Sequence, residues 1–158
     1  MFNQNVGLND FSVVQAKEVD SKSIWEIRFS QDLVAVSQTK EDVPFHKHNK
    51  WFLEKYFEDQ GSVCFVLWQK RKKIIGYCRL DMNNKKEYTI SIGLLSDFQR
   101  KRLGTYLLAE VLNKMESGAI VIAKINKDNI GSERLFLKQG FVKGVYKGDW
   151  SILKKTII

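Results

Sequence analysis

Three short apolar runs, separated only by polar turns, constrain the fold of this chain most strongly. The runs are Ser62–Gln69, Ile74–Met82 and Glu87–Leu95, and the turns between them read KRKK and NNKK. Runs of this length that are rich in Val, Ile and aromatic residues predict strands, and turns this short join antiparallel neighbours. The centre of the chain therefore predicts a three-stranded antiparallel meander.

The next segment predicts a parallel strand. Leucine and valine recur in steps of four from about Arg102 to Ser117, which predicts a helix, and Gly118 suits its end. The mostly apolar run Ala119–Ile125 then predicts a central strand, joined to Glu87–Leu95 by a right-handed crossover. Parallel strands of this kind open a crevice at their carboxyl ends, where ligands tend to bind.

The fold class that follows is α/β, with a mixed and mostly antiparallel sheet, one parallel β-α-β unit and helices on both faces. The other predicted strands are Phe11–Val19, Phe141–Lys147 and Trp150–Lys154, and the other predicted helices are Ser21–Ser30, His46–Glu58 and Ile130–Lys138, with a loop over Gln31–Pro44. A chain of 158 residues without repeats or linkers favours one domain over residues 1–158.

The charge balance favours an anionic partner. Lys and Arg number 26 against 18 Asp and Glu, a net charge of +8, but the cations are dispersed. Because no aromatic-rich basic motif of the RNA-reading kind occurs, we expect no nucleic-acid partner.

Two further features bear on location. No stretch approaches the roughly 20 apolar residues of a membrane span, and the start MFNQNVGLND does not resemble a secretion signal. The two cysteines, Cys64 and Cys78, lie in predicted strands and do not suggest a disulfide scaffold. We expect a cytoplasmic location and no membrane partner.

The stretch FQRKRLGTYLL, Phe98–Leu108, carries the clearest functional signal. It places three cations, Arg100 to Arg102, at the start of the predicted helix, after a strand that ends near Leu95 and a short loop. A helix start binds phosphate well, and Gly104 costs roughly 1 kcal/mol relative to alanine, which suggests a need for close approach. An ordinary basic helix cap accounts for the same residues, so their chemistry alone leaves both interpretations open.

Two motifs resemble those of one family. The segment QRKRLG resembles the Arg/Gln-x-x-Gly-x-Gly/Ala signature of the GNAT N-acetyltransferase superfamily, with Arg102 at the place of the first glycine. The segment NIGSERLFLKQGF, Asn129–Phe141, is similar to the family's Asn-x-x-Ala/Ser-x-x-Leu-Tyr-x-x-x-Gly-Phe. One predicted helix and one predicted strand separate the two motifs, as the family requires.

The resemblance implies transfer of an acetyl group from acetyl-coenzyme A to an amine, without a metal. The loop motif would hold the pyrophosphate, the end of the preceding strand would pair with the pantetheine arm, and the second motif would complete the cofactor site. The cofactor-binding residues so implied are Gly93, Leu94, Leu95, Gln99, Arg100, Lys101, Arg102, Leu103, Gly104, Thr105, Asn129, Ser132 and Phe136.

The catalytic acid and base stay open at this stage. Phe136 occupies the position where many members carry a tyrosine acid, and it cannot donate a proton. Glu87 and Ser91 share one face of a predicted strand, and Glu87 could act as the base through water or simply be solvated. His48 is an alternative base because histidine transfers protons near neutral pH, although it could equally be a partly buried helix residue.

The acceptor is suggested by the N-terminal third. The segments IWEIR, VAVSQ and HNKWF resemble a GNAT subgroup that acetylates amino groups of nucleotide-linked sugars for surface glycans, as in pseudaminic-acid-type pathways. The substrate-binding residues this implies are Arg28, Ser37, His48, Trp51 and Phe52. Two alternatives are a protein or peptide amine, as in ribosomal-protein acetylation, and a non-catalytic acyl-CoA-binding domain. A monomer and a homodimer are both compatible with the sequence.

Overall fold

The computed structural model describes residues 7–35 and 42–158. Its strands are β1 (Phe11–Gln15), β2 (Val63–Gln69), β3 (Lys73–Asn84), β4 (Glu87–Leu94), β5 (Ile120–Asn126), β6 (Val142–Lys147) and β7 (Trp150–Thr156). Its helices are α1 (Ser21–Arg28), α2 (Gln31–Val34), α3 (Phe45–Leu53), α4 (Leu103–Leu112) and α5 (Ile130–Lys138), and a π-helical turn, Glu54–Glu58, continues α3. None of the helices in these two ranges is long and apolar enough to cross a membrane.

The described strands form one seven-stranded sheet in the order β1-β2-β3-β4-β5-β7-β6. All neighbours pair antiparallel except β4 and β5, which are parallel and joined through α4. The predicted meander and the predicted crossover are both confirmed. The parallel pair lies near the centre of the sheet, as its apolar sequence indicated.

Helices cover both faces of the sheet, as predicted. On one face, α1 and α3 bury Ile24 and Phe52 against Val66 of β2. On the other face, α4 packs Leu107 against Val121 of β5, and α5 adds Phe136 to the same core. The same strands contribute side chains to both cores, because successive side chains of a strand point to opposite faces.

Two predicted boundaries are wrong, and local hydrogen bonds explain both. The first strand ends at Gln15 instead of Val19, since the backbone N–H of Lys17 donates to the Asp20 carboxylate at 2.8 Å and closes a 3-10 turn. Helix α4 ends at Leu112 instead of Ser117, because the N–H groups of Lys114 and Met115 bond to carbonyls only three residues back. The predicted loop over Gln31–Pro44 also contains the short helix α2.

Candidate functional site

The sheet divides between β4 and β5. Their pairing runs only from Glu87↔Ile120 to Ile90↔Ala123, although β4 continues to Leu94 and β5 to Asn126. Beyond that point β4 stays paired with β3, and β5 stays paired with β7. The facing backbone edges of residues 91–94 and 124–126 therefore lack a strand partner, and a ligand with amide groups can pair with them.

A cleft of about 200 Å³, partly open to solvent, occupies this split. Ile92 and Ile125 line it from the α4 face of the sheet, and Ser91 and Lys124 line it from the α1 face. The cleft therefore passes between the diverging strands. Two ligands that approach from opposite faces of the sheet can meet inside it.

The loop between β4 and α4 holds two residues in the left-handed conformation. The φ angle is 59° at Arg100 and 63° at Arg102, the N-cap residue of α4. This conformation costs a residue with a Cβ roughly 1–2 kcal/mol. Arg102 adopts it nevertheless, and thereby keeps the backbone that a glycine would have at this motif position. No described side chain caps α4, which leaves the N–H groups of its first turn available to an anion.

Some predicted cofactor residues serve the architecture of this loop. The Gln99 side-chain amide donates to the Leu94 carbonyl at 3.0 Å and ties the loop to the end of β4. Leu103 is fully buried, so only its backbone can reach a ligand. A Cβ on Gly104 would lie 3.4 Å from Leu135 and 3.5 Å from Leu94, which is ordinary contact, so packing alone does not require glycine there.

The start of α5 completes this side of the cleft with Asn129, Ser132 and Phe136. Asn129 is the N-cap residue, and its Oδ1 accepts the Ser132 N–H at 3.2 Å. The Asn129 NH₂ group has no hydrogen-bond partner within the described ranges and can donate to a ligand. Phe136 is buried and packs edge-on against Phe141 at 4.9 Å between ring centroids, so it offers no proton.

The α1 side of the cleft is cationic. Arg28 at the end of α1 and Arg79 on β3 line it beside Tyr77, and Arg79 is the cross-strand neighbour of Ser91. With Lys124, three cations face the cleft, whereas no carboxylate does so among the side chains that the structure describes. An amine therefore enters a positively charged environment.

His48 lies outside the cleft. It is 1% exposed, it stacks on Phe52 at 5.8 Å between ring centroids, and neither ring nitrogen has a hydrogen-bond partner in the described part of the chain. Burial, followed by the nearby positive charge of Arg28, lowers the pKa of His48 to about 4. The ring is neutral and does not line the cleft, so its placement supports a packing role over that of a base.

The buried neutral ring of His48 predicts acid lability. The unfolded chain takes up this proton below about pH 6.5 and the folded chain only near pH 4, so stability is lost as the pH falls through that window. We expect His48 to contribute about 3 kcal/mol to the loss in the free energy of unfolding between pH 7 and pH 4. Urea titrations of His48→Phe should show a correspondingly smaller pH dependence. A matched change at the exposed His46, to Ala, should leave the dependence as it is; equal slopes for all three proteins would contradict the prediction.

Glu87 and Ser91 lie in different positions relative to the cleft. Glu87 lies in the first β4–β5 pair, at the closed end of the split, and accepts a hydrogen bond from the Asn83 side chain at 3.2 Å. It does not line the cleft, whereas Ser91 does. Of the predicted catalytic residues, the structure therefore brings only Ser91 to the cleft.

The predicted substrate-binding residues also lie in different parts of the structure. Arg28 lines the cleft, but Phe52 is 0% exposed in the core and cannot touch a ligand in this arrangement. The Trp51 ring lies under the guanidinium groups of Arg28 and Arg79 and serves as their platform. Ser37 lies outside the described residues.

Comparison with known proteins decides the family. The sequence profile of the Acetyltransferase (GNAT) family matches residues 23–141, well over half of the chain. The chain belongs to the GNAT acetyltransferase family. It is an acetyl-CoA-dependent N-acetyltransferase, and acetyl-CoA is its co-substrate.

Solved structures share the fold of this acetyltransferase at low sequence identity. A phosphinothricin acetyltransferase from Sinorhizobium meliloti, in complex with acetyl-CoA, has a TM-score of 0.79 and 19% identity over 94% of this chain and 89% of its own. A spermidine N-acetyltransferase from Vibrio cholerae, with CoA and spermine, has a TM-score of 0.79 and 14% identity over 94% and 96%. A ribosomal-protein-S5-alanine acetyltransferase from Vibrio fischeri has a TM-score of 0.77 and 17% identity over 94% and 93%. No curated protein sequence matches the chain.

The backbone groups of the acetyltransferase site fit acetyl-CoA. The uncapped start of α4 offers N–H groups to a pyrophosphate, and the unpaired edge of β4 offers strand-like partners to the amides of a pantetheine arm. The split between β4 and β5 lets the thioester end reach the α1 face of the sheet.

Sequence reasoning missed several residues of the acetyltransferase cleft, among them Tyr77, Arg79 and Lys124. The signal was present in the run GYCRLDM, where Arg79 and Asp81 stand two apart in an otherwise apolar strand. Polar residues at that spacing share one face, and a buried face rarely carries charge without a function.

Proposed function

We propose that this acetyltransferase acetylates a primary amine of an anionic small molecule, namely an amino group of a nucleotide-linked amino sugar used in surface-glycan biosynthesis. The observation that carries the proposal is the lining of the cleft, with three cations and no described carboxylate. Such a lining attracts phosphate groups and repels polyamines. The resemblance of the N-terminal segments to the amino-sugar subgroup points the same way.

The cofactor half of this proposal assigns roles to the two motifs. The N–H groups of residues 102–105 bind the pyrophosphate, and the exposed side chains of Arg100 and Lys101 add positive charge beside it. The Asn129 NH₂ group donates to the pantetheine arm, which runs along the edge of β4 that has no strand partner beyond Ile90. Bound acetyl-CoA supplies the activated acetyl group at the split.

The chain's own residues then handle the protons. The acceptor amine has to be neutral to attack, and the positive charges of Arg28, Arg79 and Lys124 lower the pKa of an ammonium group in the cleft. Water in the open cleft takes the proton, since no histidine or carboxylate of the described side chains lines it. Burial raises the pKa of Tyr77, so this phenol in the cleft lining stays protonated; it gives its proton to the leaving sulfur and regains one from water in the cleft.

Removal of the Tyr77 hydroxyl should therefore slow the reaction. We expect Tyr77→Phe to lower kcat about tenfold, because a positioned acid contributes at least this much, with the KM for acetyl-CoA nearly unchanged. Steady-state kinetics measure both constants. Tyr88, which lies outside the cleft, provides the matched control as Tyr88→Phe; an unaltered kcat in Tyr77→Phe would remove Tyr77 from the mechanism.

Thiol release from acetyl-CoA with a panel of acceptors tests the proposed function. The panel contains nucleotide-linked amino sugars, spermidine and a peptide with an N-terminal alanine. We expect kcat/KM to be highest for a nucleotide-linked amino sugar and at least about tenfold lower for spermidine, because polycations are repelled from a cationic cleft. A preference for spermidine or for the peptide would overturn the proposal.

A further inference from the structure

Two arginines share one aromatic platform at the α1 side of the cleft. The Arg28 guanidinium carbon lies 4.5 Å from the centroid of the Trp51 ring and 5.0 Å from that of Phe29. The Arg79 guanidinium carbon lies 5.1 Å from the same Trp51 ring. The two cations are thus held side by side by packing, in orientations that leave both of them lining the cleft.

The charge of this pair is only half neutralised in the described residues. Arg79 Nη1 donates to Asp81 Oδ2 at 2.8 Å, and the other oxygen of Asp81 accepts the Tyr56 hydroxyl at 2.6 Å. Asp81 is therefore already occupied on both oxygens. Arg28 has no carboxylate partner among the described side chains, and Arg79 Nε is shielded from solvent without a hydrogen bond.

This arrangement is costly unless something compensates for it. Burial and the neighbouring charge of Arg79 lower the pKa of Arg28, which shows that its charged form is disfavoured here. A long uncharged side chain could cover Trp51 equally well without the repulsion. Partly buried like charges next to a cleft are expected where an oppositely charged ligand completes the set.

We propose that Arg28 and Arg79 form an oxyanion subsite that binds a phosphate or carboxylate group of the acceptor. The guanidinium fork suits either group, because both offer two coplanar oxygens. The inference rests on the proposed function, in which the acceptor amine enters this cleft. It adds a specificity-determining residue, Arg79, and a defined position for the negative charge.

The register places the subsite close to the chemistry. Arg79 is paired with Ser91, and directly opposed residues on neighbouring strands lie about 5 Å apart. Ser91 is the first residue of β4 beyond the split. The anionic group of the acceptor therefore lies within a few bonds of the amine that is acetylated, as in a sugar phosphate or an amino acid.

Arg28→Gln is the decisive variant, since it removes the charge that lacks a carboxylate partner among the described side chains and keeps most of the chain that covers Trp51. We expect the KM for an anionic acceptor to rise about 30-fold, as for the loss of one charge-assisted contact, and the KM for acetyl-CoA to stay within about twofold. Arg28→Lys keeps the charge but loses the guanidinium fork, so its KM for the anionic acceptor should lie between those of the unaltered enzyme and Arg28→Gln. Lys85→Gln, at the exposed β3–β4 turn at the far end of β4, is the control for net charge and should behave as the unaltered enzyme.

Two arms identify the anion. A nucleotide-linked amino sugar carries phosphate, and an amino acid carries carboxylate. Arg28→Gln should raise the KM for whichever of them the enzyme acetylates. The KM for an amine without an anionic group should be the same in both proteins. An equal KM for anionic acceptors in Arg28→Gln and the unaltered enzyme would overturn the subsite.

Binding of inorganic phosphate tests the subsite independently of turnover. With CoA saturating, so that the α4 site is filled, phosphate should raise the melting temperature of the unaltered enzyme and not that of Arg28→Gln. If no acceptor in the panel is acetylated, the proposed function fails while this measurement still decides the subsite. The absence of any phosphate effect on the unaltered enzyme would overturn it. Arg79→Lys should weaken phosphate binding as well, and melting in the absence of phosphate shows whether each variant is folded.

Discussion

Reversal of Arg100 and Lys101 to glutamate is expected to raise the KM for acetyl-CoA about 50-fold, because two favourable charges beside the pyrophosphate become repulsive. Both side chains are exposed, and neither forms an ion pair with a described residue. The Lys101 ammonium lies 5.8 Å from the centroid of the Phe98 ring, a contact worth at most about 1 kcal/mol at an exposed site. Arg100 already has a positive φ as a residue with a Cβ, and glutamate meets the same backbone requirement. We therefore expect the melting temperature to change little.

The control for this reversal uses two adjacent lysines that lie just before β4. Lys85 and Lys86 are exposed in the turn before β4, at the opposite end from the cofactor loop. Their reversal changes the net charge equally, and we expect the KM for acetyl-CoA to stay within about twofold, because screening limits the reach of surface charges to about 10 Å. A similar rise for both double variants would show a general charge effect and would contradict the assignment of the loop.

Substitution of Gly93 by alanine should impair both stability and catalysis. A Cβ at this position would lie 2.7 Å from the Tyr77 ring and 2.8 Å from Leu33 Cδ1, so both neighbours have to move. Overpacking of this kind costs roughly 1–3 kcal/mol. Because Tyr77 and Leu33 line the cleft, their displacement should lower kcat/KM about 100-fold, the scale expected when reacting groups are misplaced by an ångström.

Gly104 provides the contrasting glycine for this experiment. It lies inside α4, and a Cβ there finds only ordinary contacts. Gly104→Ala should raise the free energy of unfolding by up to about 1 kcal/mol through helix propensity. Urea unfolding of the two variants should therefore give changes of opposite sign, and equal losses of stability would refute the packing argument for Gly93.

The order of the elements could be predicted from the sequence because it rests on local signals. Polar turns of four residues set the meander, and the apolar character of Ala119–Ile125 indicated a central strand behind a crossover helix. The two ligand-binding motifs then fell at the carboxyl end of β4 and at the start of α5. Both positions follow from topology without knowledge of any side-chain contact.

The acceptor side could not be predicted in the same way, because α3 carries aromatic residues on more than one face. His48, Trp51 and Phe52 are close in sequence, and tertiary packing alone decides that Phe52 and His48 enter the core while Trp51 supports the arginines. The left-handed conformation of Arg102 could not be predicted either, since residues with a Cβ seldom adopt it. The position of Arg79 opposite Ser91 follows from the strand register, which the sequence of one strand does not contain.

A crystal structure of the enzyme with acetyl-CoA tests the central claim most directly. We expect the pyrophosphate oxygens to lie within hydrogen-bonding distance, about 3 Å, of backbone nitrogens in the first turn of α4. The pantetheine arm should run between residues 91–94 and 124–126, with the thioester beside Ser91 and Tyr77. A cofactor bound elsewhere, or a pyrophosphate away from the start of α4, would contradict the account.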